Sequence, residues 1–213
     1  MYVPPHFVED DKAALHQAIR ETRLATLVTL GSEGLEASHV PILLDEGEGP
    51  FGVIRGHLAR ANPQWRRAAT ETPALAMFLG PDAYVSPNLY ATKRETGKVV
   101  PTWNYLAIHA YGRVEFFEDA ERLRAIVTSL TQRHEGRRKQ PWAVSDAPAD
   151  YIAAQLRGII GFRLEIDRLE GKWKLSQNRP AADRQGVVAG LEREGGPAEQ
   201  ALARAMRGEG TPS

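Results

Sequence analysis

Cysteine is absent from this chain of 213 residues. That excludes a disulfide framework, a thiolate nucleophile and any cysteine-ligated metal. A run of about 18 apolar residues is also missing, so no membrane-spanning helix is expected. The opening residues, MYVPPHFVEDDK, lack the basic-then-apolar pattern of a secretory signal. The expectation is a soluble, cytoplasmic protein. Charge of one sign is not in excess either, with 27 basic against 27 acidic residues. A dedicated nucleic-acid binder carries a basic footprint, because phosphate contacts dominate its affinity. The one dense basic run, Arg137-Arg138-Lys139, follows a predicted helix, where cations relieve the exposed carbonyl end of the dipole. No HExxH, no GxSxG elbow and no histidine pair at i,i+4 spacing occurs, so neither a metal site nor a serine hydrolase is indicated.

What is present is an ordinary globular proportion, 42% hydrophobic and 25% charged. No repeat and no linker-like shift in composition interrupts it, so the chain is expected to form one domain over residues 1–207, with a mobile tail over 208–213. A helix should start at Asp10 or Asp11, which suit its positive end, with Leu15, Ala18 and Ile19 on its apolar face. Strands follow at 24–30 and 35–44, joined by a GSEG turn and interrupted by Pro41, which cannot donate to a ladder. Residues 51–55 read as a third strand. Asn62 and Pro63 signal a helix running to about Thr70. An apolar strand at 74–79 should end at Gly80-Pro81, and further strands are expected at 83–86, 99–109 and 111–117. Helical insertions are expected near 118–133 and 148–157. Ile160, Phe162, Leu164 and Ile166 alternate with polar positions as a half-buried strand. Trp173 and Leu175 should begin a last strand, with helical signals near Leu191 and over 197–207. Strands in hairpin order with flanking helices imply an antiparallel sheet closed into a β-barrel, an α+β protein.

Two stretches carry residues suited to ligand chemistry. In Arg55-Gly56-His57-Leu58-Ala59-Arg60-Ala61-Asn62-Pro63 a strand ends, a glycine permits close approach and a helix begins. Bare helix-start amides and arginine forks suit a phosphate. An ordinary strand-to-helix turn with surface arginines has the same composition. The second stretch is aromatic and polar: Tyr84, Ser86, Asn88 and Tyr90, then Thr102, Trp103, Asn104 and Tyr105. It suits a flat heteroaromatic ring that needs stacking and edge hydrogen bonds, and it equally suits core packing. Lys93, Arg94 and Lys98 lie between the aromatic blocks on a predicted loop. Of the six histidines, His57 has the most functional context.

The segments MYVPPHF, SHVPILL, GHLARANPQW, YVSPNLY, VPTWNY and KLSQNRP occur in this order and span most of the chain. Together they resemble the PaiB-like family of FMN-binding negative transcriptional regulators. The resemblance implies an antiparallel FMN-binding split barrel, a homodimer, and FMN between the subunits. By that analogy His39, Val40, Arg55, Gly56, His57, Arg60 and Asn62 would approach the phosphate and ribityl chain. Ser86, Trp103, Asn104 and Gln177 would lie near the ring or the subunit seam. Lys174, Ser176, Asn178 and Arg179 add donors for an anion or a flavin edge. The implied function is a flavin-dependent oxidoreductase or a flavin-linked regulator. Two alternatives stand beside it. One is a DNA-associated regulator without catalysis, which the neutral charge does not favour. The other is a haem-binding split barrel using His57, His39 or His109.

Overall fold

The computed structural model describes residues 1–22 and 24–208. Apart from Gly208, the expected tail lies outside the described residues. In chain order the elements are β1 (Val8–Glu9), α1 (Lys12–Glu21), β2 (Ala25–Gly31), β3 (Gly34–Val40), β4 (Ile42–Asp45), β5 (Val53–Ala59) and α2 (Gln64–Arg67). Then come β6 (Ala74–Val85), α3 (Thr92–Thr96), β7 (Thr102–Phe117), α4 (Ala120–Glu135), α5 (Ala149–Arg157), β8 (Ile159–Lys174), α6 (Ala181–Glu194) and α7 (Pro197–Met206). The strands form an eight-stranded sheet in the order β3-β2-β6-β7-β8-β5-β4, with β1 pairing β8. The pairings of β2 with β3 and β6, of β5 with β4 and β8, and of β1 with β8 are all antiparallel. Two compact units are distinguished among the described residues, the first made of residues 1–22, 79–108 and 170–208, the second of residues 24–78 and 109–169.

In the first unit, α1 starts where expected. The Asp11 carboxylate accepts a hydrogen bond of 2.8 Å from the Ala13 amide, capping one of the free N–H groups of the helix start. Leu15, His16 and Ile19 are the buried face of α1. The core gathers Val85, Tyr90, Leu106, Leu175, Val187, Leu191 and Leu202. The helical signal near Leu191 belongs to a longer helix than the sequence announced. Residues Gly186 and Gly190 depress helix propensity, yet α6 runs through both. A Cβ at Gly186 would lie 2.1 Å from the Leu89 carbonyl oxygen, and one at Gly190 would lie 2.4 Å from the Leu89 side chain. Close packing on Leu89 outweighs the propensity. Residues 92–96, expected as a loop, form α3, which ends at the left-handed Gly97.

In the second unit the alternation of β8 places Ile160, Phe162, Leu164 and Ile166 in the core. Strand β3 lies against β5 although the two stand far apart in the strand order, so the sheet curls. The break expected at Pro41 separates β3 from β4. Helices α4 and α5, the expected insertions, share a cluster of Leu123, Val144, Ile152 and Leu156.

The strands expected at 99–109 and 111–117 are one strand, β7, and Trp173 lies at the end of β8 rather than beginning a last strand. Two further boundaries differ from expectation in ways the contacts explain. Helix α2 stops at Arg67 rather than near Thr70, because Ala69 donates to the Leu30 carbonyl at 2.8 Å and Ala68 bridges to Gly31. The sheet captures the chain before a second turn can form. Strand β6 does not end at Gly80-Pro81 but continues to Val85, and the Cβ-free Gly80 makes room for Leu106, 2.9 Å from where a Cβ would stand.

Candidate functional site

The stretch around Arg55 lies in the second unit, and its cations are already neutralised. Arg55 donates to Asp45 at 2.9 Å and also bonds Glu48. Arg163 holds the same Glu48, with its Nε at 3.1 Å. Hydrogen bonds from Arg163 and then Arg55 keep the Glu48 carboxyl below the usual carboxylate range. Arg60 donates to the Arg157 carbonyl at 2.5 Å and to Glu118 at 2.8 Å. Gly56 has a packing role, since a Cβ there would meet the Phe162 ring at 2.7 Å and the Pro41 carbonyl at 2.9 Å.

Asn62 and Gln64 build a buried polar network. The Asn62 Oδ1 accepts from the Gln64 amide at 2.9 Å, and its Nδ2 donates to Ser38 at 2.8 Å. Ser38 in turn donates to the Gln64 Oε1 at 2.6 Å. The Gln64 Nε2 reaches the Leu27 carbonyl and the Thr29 hydroxyl, each at 3.1 Å. This four-residue helix start therefore has its first donor satisfied from within and offers little dipole. Val40 is buried, while His39 is exposed and shares a 3.0 Å hydrogen bond with Thr26. His57 is the exception to this saturation. Its Nδ1 is shut away from solvent without a hydrogen-bond partner, and burial lowers the pKa of the ring, favouring neutral imidazole.

The aromatic stretch and the KLSQNRP segment lie in the first unit, where the geometry is different. Trp103 is half exposed and packs edge-to-face on Tyr84, with ring centroids 6.2 Å apart. Ser86 caps the turn at Asn88, whose amide it accepts at 3.2 Å. Asn104 is fully buried and donates to Ser176 at 2.9 Å. Gln177 folds back on its own strand, accepting from the Leu175 amide at 2.7 Å and donating to the Trp173 carbonyl at 2.5 Å.

Beside Asn104 lies a cleft of about 180 Å³, bounded by Tyr90, Thr102, Lys174, Ser176 and Arg179 among others. Lys174 donates to the Thr102 hydroxyl and to the Trp103 carbonyl. Its pKa is lowered by burial first, and then by Lys172 and Arg179. The Arg179 guanidinium lies 4.7 Å from the centroid of the Tyr90 ring. The Tyr90 hydroxyl is buried with no hydrogen bond of normal geometry. Burial raises its pKa, and the nearby Arg179 and Ser176 oppose that rise. Ser176, with φ of 61°, is the one non-glycine residue in the left-handed region among the described residues. The donors at 174–179 are legible in the sequence, but Gln177, the expected flavin contact, bonds the Leu175 amide and the Trp173 carbonyl. Phe7 and Val100, which also border the cleft, stand in the MYVPPHF and VPTWNY segments, but nothing local marks them as site residues. No group of three or more potential metal ligands occurs among the described residues.

An antiparallel sheet with helices in this arrangement is the fold of the flavin-binding split barrels. A protein from Mycobacterium smegmatis described as FAD and heme binding superposes with a TM-score of 0.58 at 18% identity, covering 86% of this chain and 80% of its own. The chain belongs to the family described as "Putative FMN-binding domain", whose model matches residues 1–168. It is 35% identical to a protein of Emericella nidulans over 99% of this chain and 98% of that one. It is 31% identical to the protease synthase and sporulation protein PAI 2 of Bacillus subtilis, over 97% of this chain and 96% of that one.

Proposed function

We propose that this protein binds FMN and serves as a flavin-dependent redox protein. The observation that carries the reading is the family match across residues 1–168. The donor set of the second unit is compatible with the cofactor. The buried, unpartnered His57 Nδ1 is a polar atom that a ligand would satisfy, and an unsatisfied buried group of this kind calls for an explanation. His39, Val40, Gly56, His57 and Asn62 are the proposed neighbours of the phosphate and ribityl chain. Arg55 and Arg60 join them only by exchanging Asp45, Glu48 and Glu118 for the phosphate. The resemblance alone proposes Ser86, Trp103, Asn104 and Gln177 as contacts for the ring system; Asn104 is fully buried and Gln177 bonds the backbone at Trp173 and Leu175, so these two would have to rearrange.

FMN supplies the redox chemistry when bound, and the protein supplies binding, orientation and electrostatics. A neutral His57 can accept or donate one hydrogen bond without adding charge. A homodimer is part of the same proposal, since Leu79, Tyr84 and Trp103 expose apolar surface that a second copy would cover. Sedimentation showing only monomer at micromolar concentration would contradict that part.

Titration of the purified protein with FMN, read by flavin fluorescence and visible absorption, tests the central claim. Saturable binding near one flavin per chain is expected, and His57→Ala should weaken it about tenfold. A protein that takes up no FMN ends this reading. One observation favours a second: a neutral, unpartnered imidazole is also what a haem iron would ligate. A haemin titration without a shifted absorption band removes that alternative.

A further inference from the structure

We propose that the cleft of the first unit is an oxyanion-binding site, taking the phosphate or carboxylate group of a small ligand between Lys174, Arg179 and the Tyr90 hydroxyl. Two of its three main donors, Lys174 and Arg179, lie beyond residue 168, where the family match stops, and none of the three is among the FMN contacts proposed above. Its chemistry follows from charge that the fold leaves uncompensated. Among the described residues neither Lys174, Arg179 nor the neighbouring Lys172 has a carboxylate within ion-pairing distance. The nearby acids have other partners, although Asp183 is close enough to act on Tyr90. Asp183 accepts from the Thr92 amide at 2.9 Å and from its hydroxyl at 3.0 Å, and Glu170 pairs with the chain's amino terminus.

The donors are also held in place. Lys174 spends two of its three N–H groups on Thr102 and the Trp103 carbonyl, which leaves the third for a ligand. Arg179 rests on the Tyr90 face, an arrangement that steadies a planar guanidinium while its N–H fork stays available. The Tyr90 ring is 1% exposed and lines the cleft, and its hydroxyl lies beside Arg179 and Ser176 with no hydrogen bond of normal geometry. The left-handed Ser176, fixed by its hydrogen bond to Asn104, sets the turn that carries Arg179. Backbone conformations of this kind gather where a structure clamps a ligand. A volume of about 180 Å³ admits a phosphate or a carboxylate-bearing fragment. It is smaller than the pockets of about 300–1,000 Å³ that enclose whole ligands. Burial is the first cause that lowers the Lys174 pKa; Lys172 and Arg179 lower it further, and a bound anion would oppose that electrostatic part.

The oxyanion has two possible sources, the phosphate of FMN or the head of a separate ligand, and the test separates them. Thermal unfolding of the whole protein is followed against inorganic phosphate at constant ionic strength set with chloride. A saturable rise in Tm is expected, because a ligand that binds only the folded state stabilises it. The rise should disappear in Arg179→Gln and shrink in Tyr90→Phe, which keeps the buried ring and so keeps the test valid if the arginine variant folds poorly. Arg122→Gln, a cation paired with Glu115, should keep the full response. A Tm that does not respond to phosphate, or that responds equally in Tyr90→Phe and Arg179→Gln, overturns the proposal. Phosphate that competes with FMN but not with riboflavin identifies the cofactor's own phosphate as the occupant. Phosphate binding with unchanged FMN affinity identifies a separate ligand. Flavin uptake without a phosphate response sinks this inference alone, and the reverse sinks the cofactor reading alone.

Discussion

Around their candidate sites the two units use positive charge in opposite ways. In the second, Arg55, Arg60, Arg67, Arg122 and Arg163 each pair with a carboxylate. In the first, the cations around the cleft face hydroxyls, a carbonyl and aromatic rings instead. The same residue types are thus structural in one place and available in the other. Arginines that stand close together along a chain are no guide to an anion site. What decides is whether the fold also delivers acids: the β4–β5 hairpin turns Glu48 onto Arg55 from seven positions away, and Glu118 reaches Arg60 from 58 positions away.

The polar clusters of the two units can be broken in turn. Gln64→Leu should cost most, about 2–4 kcal/mol, because it strands the Leu27 carbonyl, Ser38 and Thr29 without their buried partner. Urea unfolding measures this, and a loss under about 1 kcal/mol would mean that the network is not what fixes this turn. Asn104→Ala should cost about 1–3 kcal/mol by freeing Ser176 from its partner. It should also weaken the phosphate response of the cleft, which Gln64→Leu should leave intact wherever that variant is folded.

Titration sharpens the contrast, because the two units should respond at opposite ends of the pH scale. A carboxyl with a depressed folded-state pKa contributes stability that is present above its unfolded value and lost as pH falls through the folded one. Glu48 is such a group, with an ordinary value of 4.5, so Glu48→Gln should flatten the acid limb of a stability profile. For Lys174 the sign is reversed. Its folded pKa lies below the ordinary 10.5, so the folded chain holds the proton less firmly than the unfolded one. Stability should therefore rise as pH climbs through the window just below 10.5, and Lys174→Gln should remove that rise. Urea midpoints measured across pH check both limbs. The smallest effect is expected from Arg60→Gln. Its ion pair with Glu118 is largely solvated, so less than about 1 kcal/mol should be lost.

By itself the sequence determined whatever depends on near neighbours. Asp11 caps α1 because the amide it accepts is two residues away. Alternating apolar residues write the buried face of β8 directly, and Pro41 marks the break after β3. The ordered motifs were enough to reach the family and its fold. Tertiary structure decided everything that pairs remote residues. Arg60 meets the Arg157 carbonyl across 97 positions and Asn104 meets Ser176 across 72. Helix α2 is cut short by a sheet edge, and α6 persists through two glycines because Leu89 packs against them. Periodicity and capping are energies of adjacent residues and can be read in one dimension. Charge compensation and burial depend on which distant groups the fold brings within a few ångströms, and no local pattern records that.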